Sequence, residues 1–149
     1  MQRYYLSIDI GGTAIKSARI DHSGNIITTD QLPTPQRADD FLAALAQLIH
    51  ASQDVHAVCV SVPGIVNPTT GQVEFTGALG FMGEFNLAEY VRRLTELPVY
   101  VGNDANCATL AEMWLGNLTT VANGAVVTLG TSVGGGLMIN KSDRSHVVL

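Results

Sequence analysis

With 149 residues, 46% of them hydrophobic, the chain can bury one core of ordinary domain size. A formal charge of -5 and only 14% charged residues leave no surface suited to neutralising phosphates, so nucleic acid is not an expected partner. The first residues lack a secretory pattern, and the most apolar stretch, residues 125–139, is broken by Gly130 and by Gly134-Gly135-Gly136. Cys59 and Cys107 have neither metal-ligand nor redox spacing, and a cytoplasmic protein without membrane contact is expected.

In chain order, residues 4–10 alternate, residues 14–20 resume after the Gly11-Gly12 turn, and residues 26–32 follow the polar turn 21–25, which predicts an antiparallel three-strand meander. Phe41, Leu42, Leu45, Leu48 and Ile49 then recur at helical intervals, predicting a helix from Asp39 to about Gln53-Asp54. Residues 55–62 form a β-branched apolar run halted by Pro63-Gly64, which reads as a central parallel strand. Glycines and turn formers over residues 67–83 predict a hairpin and loops. Asn86 should cap a helix reaching Glu96, with Leu87, Tyr90, Val91 and Leu94 on one stripe. A short strand at 99–101, a helix from Cys107 to Leu115, and strands at 125–129 and 135–139 complete the pattern. The tail 141–149 carries no clear signal. The final hairpin cannot bury both faces by itself, so the expected division is a domain over 1–120 and the opening of an unfinished second domain over 121–149.

Three segments carry candidate chemistry. In the first turn, Gly11-Gly12-Thr13 can bring bare backbone N–H groups close to an oxyanion, phosphate being the obvious one. Asp9, two residues earlier, could hold magnesium through water, and Lys16 could add positive charge. The second segment, Gly130-Thr131-Ser132-Val133-Gly134-Gly135-Gly136, repeats the device with added hydroxyls from Thr131 and Ser132. Third, Asn103-Asp104 lies between a strand and a helix, where ligands of open α/β sheets gather. There a carboxylate can accept a proton from a hydroxyl while the carboxamide hydrogen-bonds the same ligand; the alternative is that Asp104 merely caps the helix at Cys107.

Taken with Pro63-Gly64-Ile65-Val66 and the run Asn103-Asp104-Ala105-Asn106-Cys107-Ala108, these segments resemble the ROK family of sugar kinases and sugar-responsive repressors, almost to Ile139. The resemblance implies an actin-like, ribonuclease-H-like α/β ATPase fold with a mixed sheet, binding ATP, Mg2+ and a sugar. It implies Asp104 as catalytic base, usually toward the hydroxyl at the sixth carbon, with Asn103 and Gly64 as sugar contacts. Gly11, Gly12, Thr13, Gly130 and Thr131 become phosphate contacts, joined by Gly134 of the same glycine-rich segment. A homodimer is implied for the full-length protein. The family's usual glutamate-glycine-histidine segment and cysteine-rich zinc motif do not occur in these residues, so zinc is not expected. Gly77-Ala78-Leu79-Gly80-Phe81 stands where an Asn followed by Leu and an aromatic residue often contacts sugar, and residues 77–87 are more similar to the branch containing β-glucoside kinases. The alternatives are a catalytically silent fragment that binds sugar or nucleotide, or a sugar-responsive regulator. Asp9 comes too early for a preceding helix-turn-helix within these residues.

Overall fold

The structure is a computed structural model that describes residues 3–52, 54–130, 133–140 and 147–148. Packing divides the chain into two compact units, Met1–Gly102 and Asn103–Leu149.

In the first unit, β1 (Tyr4–Ile10), β2 (Ala14–Asp21) and β3 (Ile26–Pro33) form the expected antiparallel meander. Next to β1 on its other side lies β4 (Val58–Val62), parallel to it, and β8 (Val99–Asn103) closes the order β3-β2-β1-β4-β8. β4 is shorter than its apolar run: Val55 and Ala57 are buried, but the chain approaches through a bend in which His56 N–H donates to the Tyr4 carbonyl at 2.8 Å. Alternation decides the faces of β1. Leu6, Ile8 and Ile10 are buried, which leaves Asp9 on the opposite, exposed face.

Helix α1 (Ala38–His50) presents Phe41, Leu45 and Ile49, four residues apart, to this core. Its end at His50 precedes the expected one; Ala51 N–H still returns to the Gln47 carbonyl, and Gln53 lies outside the described residues. Between β4 and the next helix, β5 (Ile65–Val66), β6 (Gln72–Glu74) and β7 (Glu84–Asn86) form a small antiparallel sheet, with a 3-10 helix at Gly77–Met82. Edge-on contacts of the Phe41 ring with Phe75 and Phe81, at 6.3 and 6.4 Å between centroids, tie this region to α1. Asn86 caps α2 (Leu87–Leu94) as expected, accepting from Glu89 N–H. The helix stops two residues before Glu96, where Thr95 turns extended and its hydroxyl oxygen accepts from Leu97 N–H at 3.3 Å.

In the second unit, α3 (Asp104–Trp114) packs on an antiparallel sheet of order β11-β10-β9, built from β9 (Gly124–Leu129), β10 (Val133–Met138) and β11 (Val147–Val148). The helix starts three residues earlier than expected, with Asn103 as its cap. Among the described residues no helix is long and apolar enough to cross a membrane.

Candidate functional site

The turn between β1 and β2 is held from one side. Gly11 N–H closes it on the Ala14 carbonyl at 2.9 Å. Thr34, just past β3, donates its hydroxyl to the Gly11 carbonyl at 2.6 Å and its N–H to the Thr13 carbonyl at 3.0 Å. Gln36 Nε2 reaches the Gly12 carbonyl at 3.4 Å. The carbonyls of Gly11, Gly12 and Thr13 are thus engaged, whereas the N–H groups of Gly12 and Thr13 have no acceptor among the described residues. Neither Gly11 nor Gly12 has a positive φ, so the conformational freedom of glycine is not what the turn uses. Close approach is: a Cβ at Gly12 would stand 2.7 Å from the Ala78 Cβ, and one at Gly11 would stand 3.0 Å from the Ala14 carbonyl oxygen.

One residue before this turn's last β1 position, Asp9 is flanked in register by Lys16 on β2 and Ser61 on β4. Ser61 Oγ donates to Asp9 Oδ1 at 3.0 Å. Together with Ser7 and Gln31, Asp9 and Lys16 line a shallow groove of about 390 Å³ on the exposed face of the sheet. Among the described residues no cluster of three His, Cys, Asp or Glu side chains could cage a metal. Two exposed carboxylates line this groove, Asp9 and Asp30, too few to cage a cation, and Asp9 suits magnesium held mainly by water and phosphate oxygens, the way that ion is usually bound. A larger groove, about 610 Å³, lies between the meander and α1 and is lined by none of the candidate site residues. Chemistry, not volume, makes the Asp9 face the candidate.

Gly64 follows β4 at the same carboxyl end at which the Gly11-Gly12 turn follows β1, since the two strands are parallel and Asp9 is in register with Ser61. Its φ is +117°, and an added Cβ would lie 2.3 Å from the Glu74 carbonyl oxygen. The backbone requires glycine here whether or not a ligand touches it.

In the second unit, Asn103 Oδ1 accepts the N–H groups of Ala105 and Asn106 at 3.0 and 3.2 Å. Asp104 therefore occupies the first helical position with an exposed side chain. Its Oδ1 also accepts from Ala105 N–H at 2.8 Å, and its Oδ2 has no partner among the described residues. A carboxylate in the first turn of a helix is favoured by the helix dipole.

Gly130 follows β9; Thr131 and Ser132, expected in the same loop, lie outside the described residues. Gly134 is not part of a loop but of β10, paired with Thr128, and its missing Cβ makes room for Ala105 of α3, 3.2 Å away. Gly136 does the same more tightly, with Thr109 Oγ1 2.1 Å from its would-be Cβ. The glycine run thus lets the first turns of α3 lie close on β10, with Ala105 against Gly134 and Thr109 against Gly136. Burial raises the Cys59 thiol above its usual range, which makes it a poor nucleophile.

Thr34 and Gln36 escaped sequence reasoning. The signal that could have found Thr34 is a hydroxyl residue between Pro33 and Pro35 directly after a strand, which the fold then buries to 6% exposure.

Known proteins are similar to this chain in sequence and fold. The chain is 40% identical over 135 residues to the β-glucoside kinase of Listeria monocytogenes serovar 1/2a, covering 90% of this chain and 46% of that protein. It is 36% identical over 145 residues to the glucokinase of Streptomyces coelicolor, covering 95% and 45%. The chain therefore spans about half the length of the curated relatives it matches. Among solved structures, the Streptomyces griseus ROK family glucokinase in complex with glucose and AMPPNP superposes with a TM-score of 0.84 at 30% identity, over 97% of this chain and 47% of the other. The Lmo2764 protein of Listeria monocytogenes superposes with a TM-score of 0.86 at 38% identity, over 97% and 49%. These neighbours bear out the actin-like α/β fold with its mixed sheet. Residues 5–145 match the ROK family as a whole, and the chain belongs to that family.

Proposed function

We propose that the complete protein transfers the γ-phosphoryl group of ATP to a hydroxyl of a hexose or hexose derivative, at the sixth carbon, and that β-glucosides are among its substrates. The observation that carries this reading is the Asp104 carboxylate, exposed on the first turn of α3, where Asn103 shares the capping and Asp104 Oδ2 has no partner among the described residues. The names of the relatives, β-glucoside kinase and glucokinase, support the substrate class, and the glucose and AMPPNP in a solved neighbour support the two ligands. Asp104 takes the hydroxyl proton as the sugar oxygen bonds to the γ-phosphorus and the bond from that phosphorus to the bridging oxygen breaks, releasing ADP. Asn103 and Gly64 contact the sugar.

Gly11, Gly12, Thr13, Gly130, Thr131 and Gly134 line the phosphates in this reading, with Lys16 adding charge. Magnesium, held through water by Asp9, would offset negative charge on the phosphate oxygens. The same reading takes the complete protein as a cytoplasmic homodimer with no nucleic-acid partner. It also takes residues 1–120 as the N-terminal domain and 121–149 as the opening of a second, a division that assigns α3 differently from the packing units above.

Asp104→Asn in the complete protein is the test. Sugar-dependent ADP release should fall by about 10³-fold, within the usual range for loss of a general base, with sugar affinity little changed. Turnover within a few-fold of the parent would refute the assignment of Asp104.

A further inference from the structure

A trans peptide unit is planar, and its C=O and N–H point in opposite directions. Whatever anchors a carbonyl therefore also aims the N–H of the following residue. In the β1–β2 turn, the Gly11 carbonyl is pulled toward the Thr34 hydroxyl and the Gly12 carbonyl toward Gln36 Nε2, so the N–H groups of Gly12 and Thr13 are turned away from that segment. Those are the two donors of the turn without an acceptor among the described residues. Thr34 N–H holds the Thr13 carbonyl as well, which clamps the turn at both ends from one residue.

The anchor is firm where it matters. Thr34 is 6% exposed, its hydroxyl bond at 2.6 Å is short for a neutral donor, and the prolines on either side restrict its backbone. Gln36 is exposed and its bond is long, so it is the weaker of the two. Preorganised donors bind an anion without the cost of ordering them at the moment of binding.

We propose that Thr34 is a positioning residue for nucleotide phosphate: through the Gly11 carbonyl it sets the direction of the Gly12 and Thr13 N–H groups without touching the ligand. The proposal rests on the reading of that turn as a phosphate contact. Thr34→Val keeps the shape and removes the donor; Thr34→Ser keeps the donor and removes a methyl group. Gln36→Ala supplies a second probe at an exposed site, should the valine variant fold poorly.

Each variant of the complete protein is titrated with AMPPNP and, separately, with sugar by calorimetry, and the Gly12 and Thr13 amide resonances are followed during the AMPPNP titration. Loss of one net hydrogen bond's worth of organisation predicts AMPPNP binding weakened about 3- to 10-fold in Thr34→Val, restored in Thr34→Ser and weakened about 2-fold in Gln36→Ala. Sugar affinity should be unchanged in all three. If the parent's two amides ignore AMPPNP, the phosphate reading of the turn fails. If they respond in the parent and AMPPNP affinity is the same in Thr34→Val, the positioning role alone is overturned; equal losses of nucleotide and sugar affinity would overturn it too, by marking Thr34 as a general structural residue.

Discussion

Gly64→Ala separates what the fold demands at the end of β4 from what a ligand would demand. At a φ of +117°, Gly64 lies outside even the narrow left-handed well that Asn and Asp visit. Forcing alanine into so sparsely populated a region costs about 1–3 kcal/mol. The new methyl group would also meet the Glu74 carbonyl oxygen at 2.3 Å and Phe75 Cα at 3.2 Å, and both are backbone atoms that move only with β6. Overpacking of this kind adds about 1–3 kcal/mol, so the total is about 2–6 kcal/mol, a large part of an ordinary domain's stability. Gly77→Ala is the matched control: its φ is +59° and nothing lies within 4 Å of the added carbon, so it should cost only about 1–2 kcal/mol. Urea unfolding of parent and variants, followed by far-UV circular dichroism, reads both. A Gly64→Ala loss no larger than that of Gly77→Ala would refute the steric reasoning and leave the glycine to be explained by ligand contact.

Gly136→Ala should destabilise the second unit by about 1–3 kcal/mol, because Thr109 Oγ1 and Cβ sit 2.1 and 3.0 Å from the new methyl group, whereas Gly135→Ala, with nothing nearer than 3.4 Å, should be tolerated; Trp114 fluorescence in urea compares the two, and equal losses would refute the packing assigned to α3. Asp21 has its carboxyl held below the usual aspartate range, chiefly by the Asn25 carboxamide and, against a cost of burial, by the N–H groups of Asn25 and Ser23. A depressed folded-state pKa adds stability that is complete above the unfolded value of about 3.9 and disappears as pH falls through the folded one. Asn25→Ala should therefore raise the midpoint of acid unfolding while leaving most of the remaining turn bonds in place, and an unchanged midpoint in a circular dichroism pH titration would count against it.

β1 and α1 were legible because each has a clear period with its apolar set on one face, and the parallel strand because its apolar run is continuous and β-branched. What escaped prediction lies where one residue type serves several physical ends. Asn103 and Asp104 are both good helix-capping residues, and from sequence only the second enters as a cap, as the alternative to its catalytic role; the backbone uses the first, whose Oδ1 reaches two N–H groups. The strand was expected only from Gly135, with Gly134 in the preceding turn, yet Val133 and Gly134 already belong to it, because glycine admits a helix to close range as readily as it admits a bend. Asp9 and the Gly11-Gly12 turn were found from local spacing, whereas the Thr34 anchor joins residues 23 positions apart and becomes visible only when β3 returns beside β2.

That division of duties at the start of α3 bears on how substitutions there are read. Ala105 N–H is shared between Asn103 Oδ1 at 3.0 Å and Asp104 Oδ1 at 2.8 Å, while Asn106 N–H goes to Asn103 alone. With Asn103 as the cap, the Asp104 carboxylate keeps Oδ2 available to a hydroxyl. Were Asn103 replaced by an apolar residue, Asp104 would be the nearest side chain able to satisfy the exposed donors, and the cap would compete directly with proton abstraction. A fall in turnover after such a change would thus report the diverted carboxylate as much as a lost sugar contact. Asn103→Ser, which retains a capping oxygen, removes the carboxamide and adds no charge beside Asp104, is the substitution that isolates the contact.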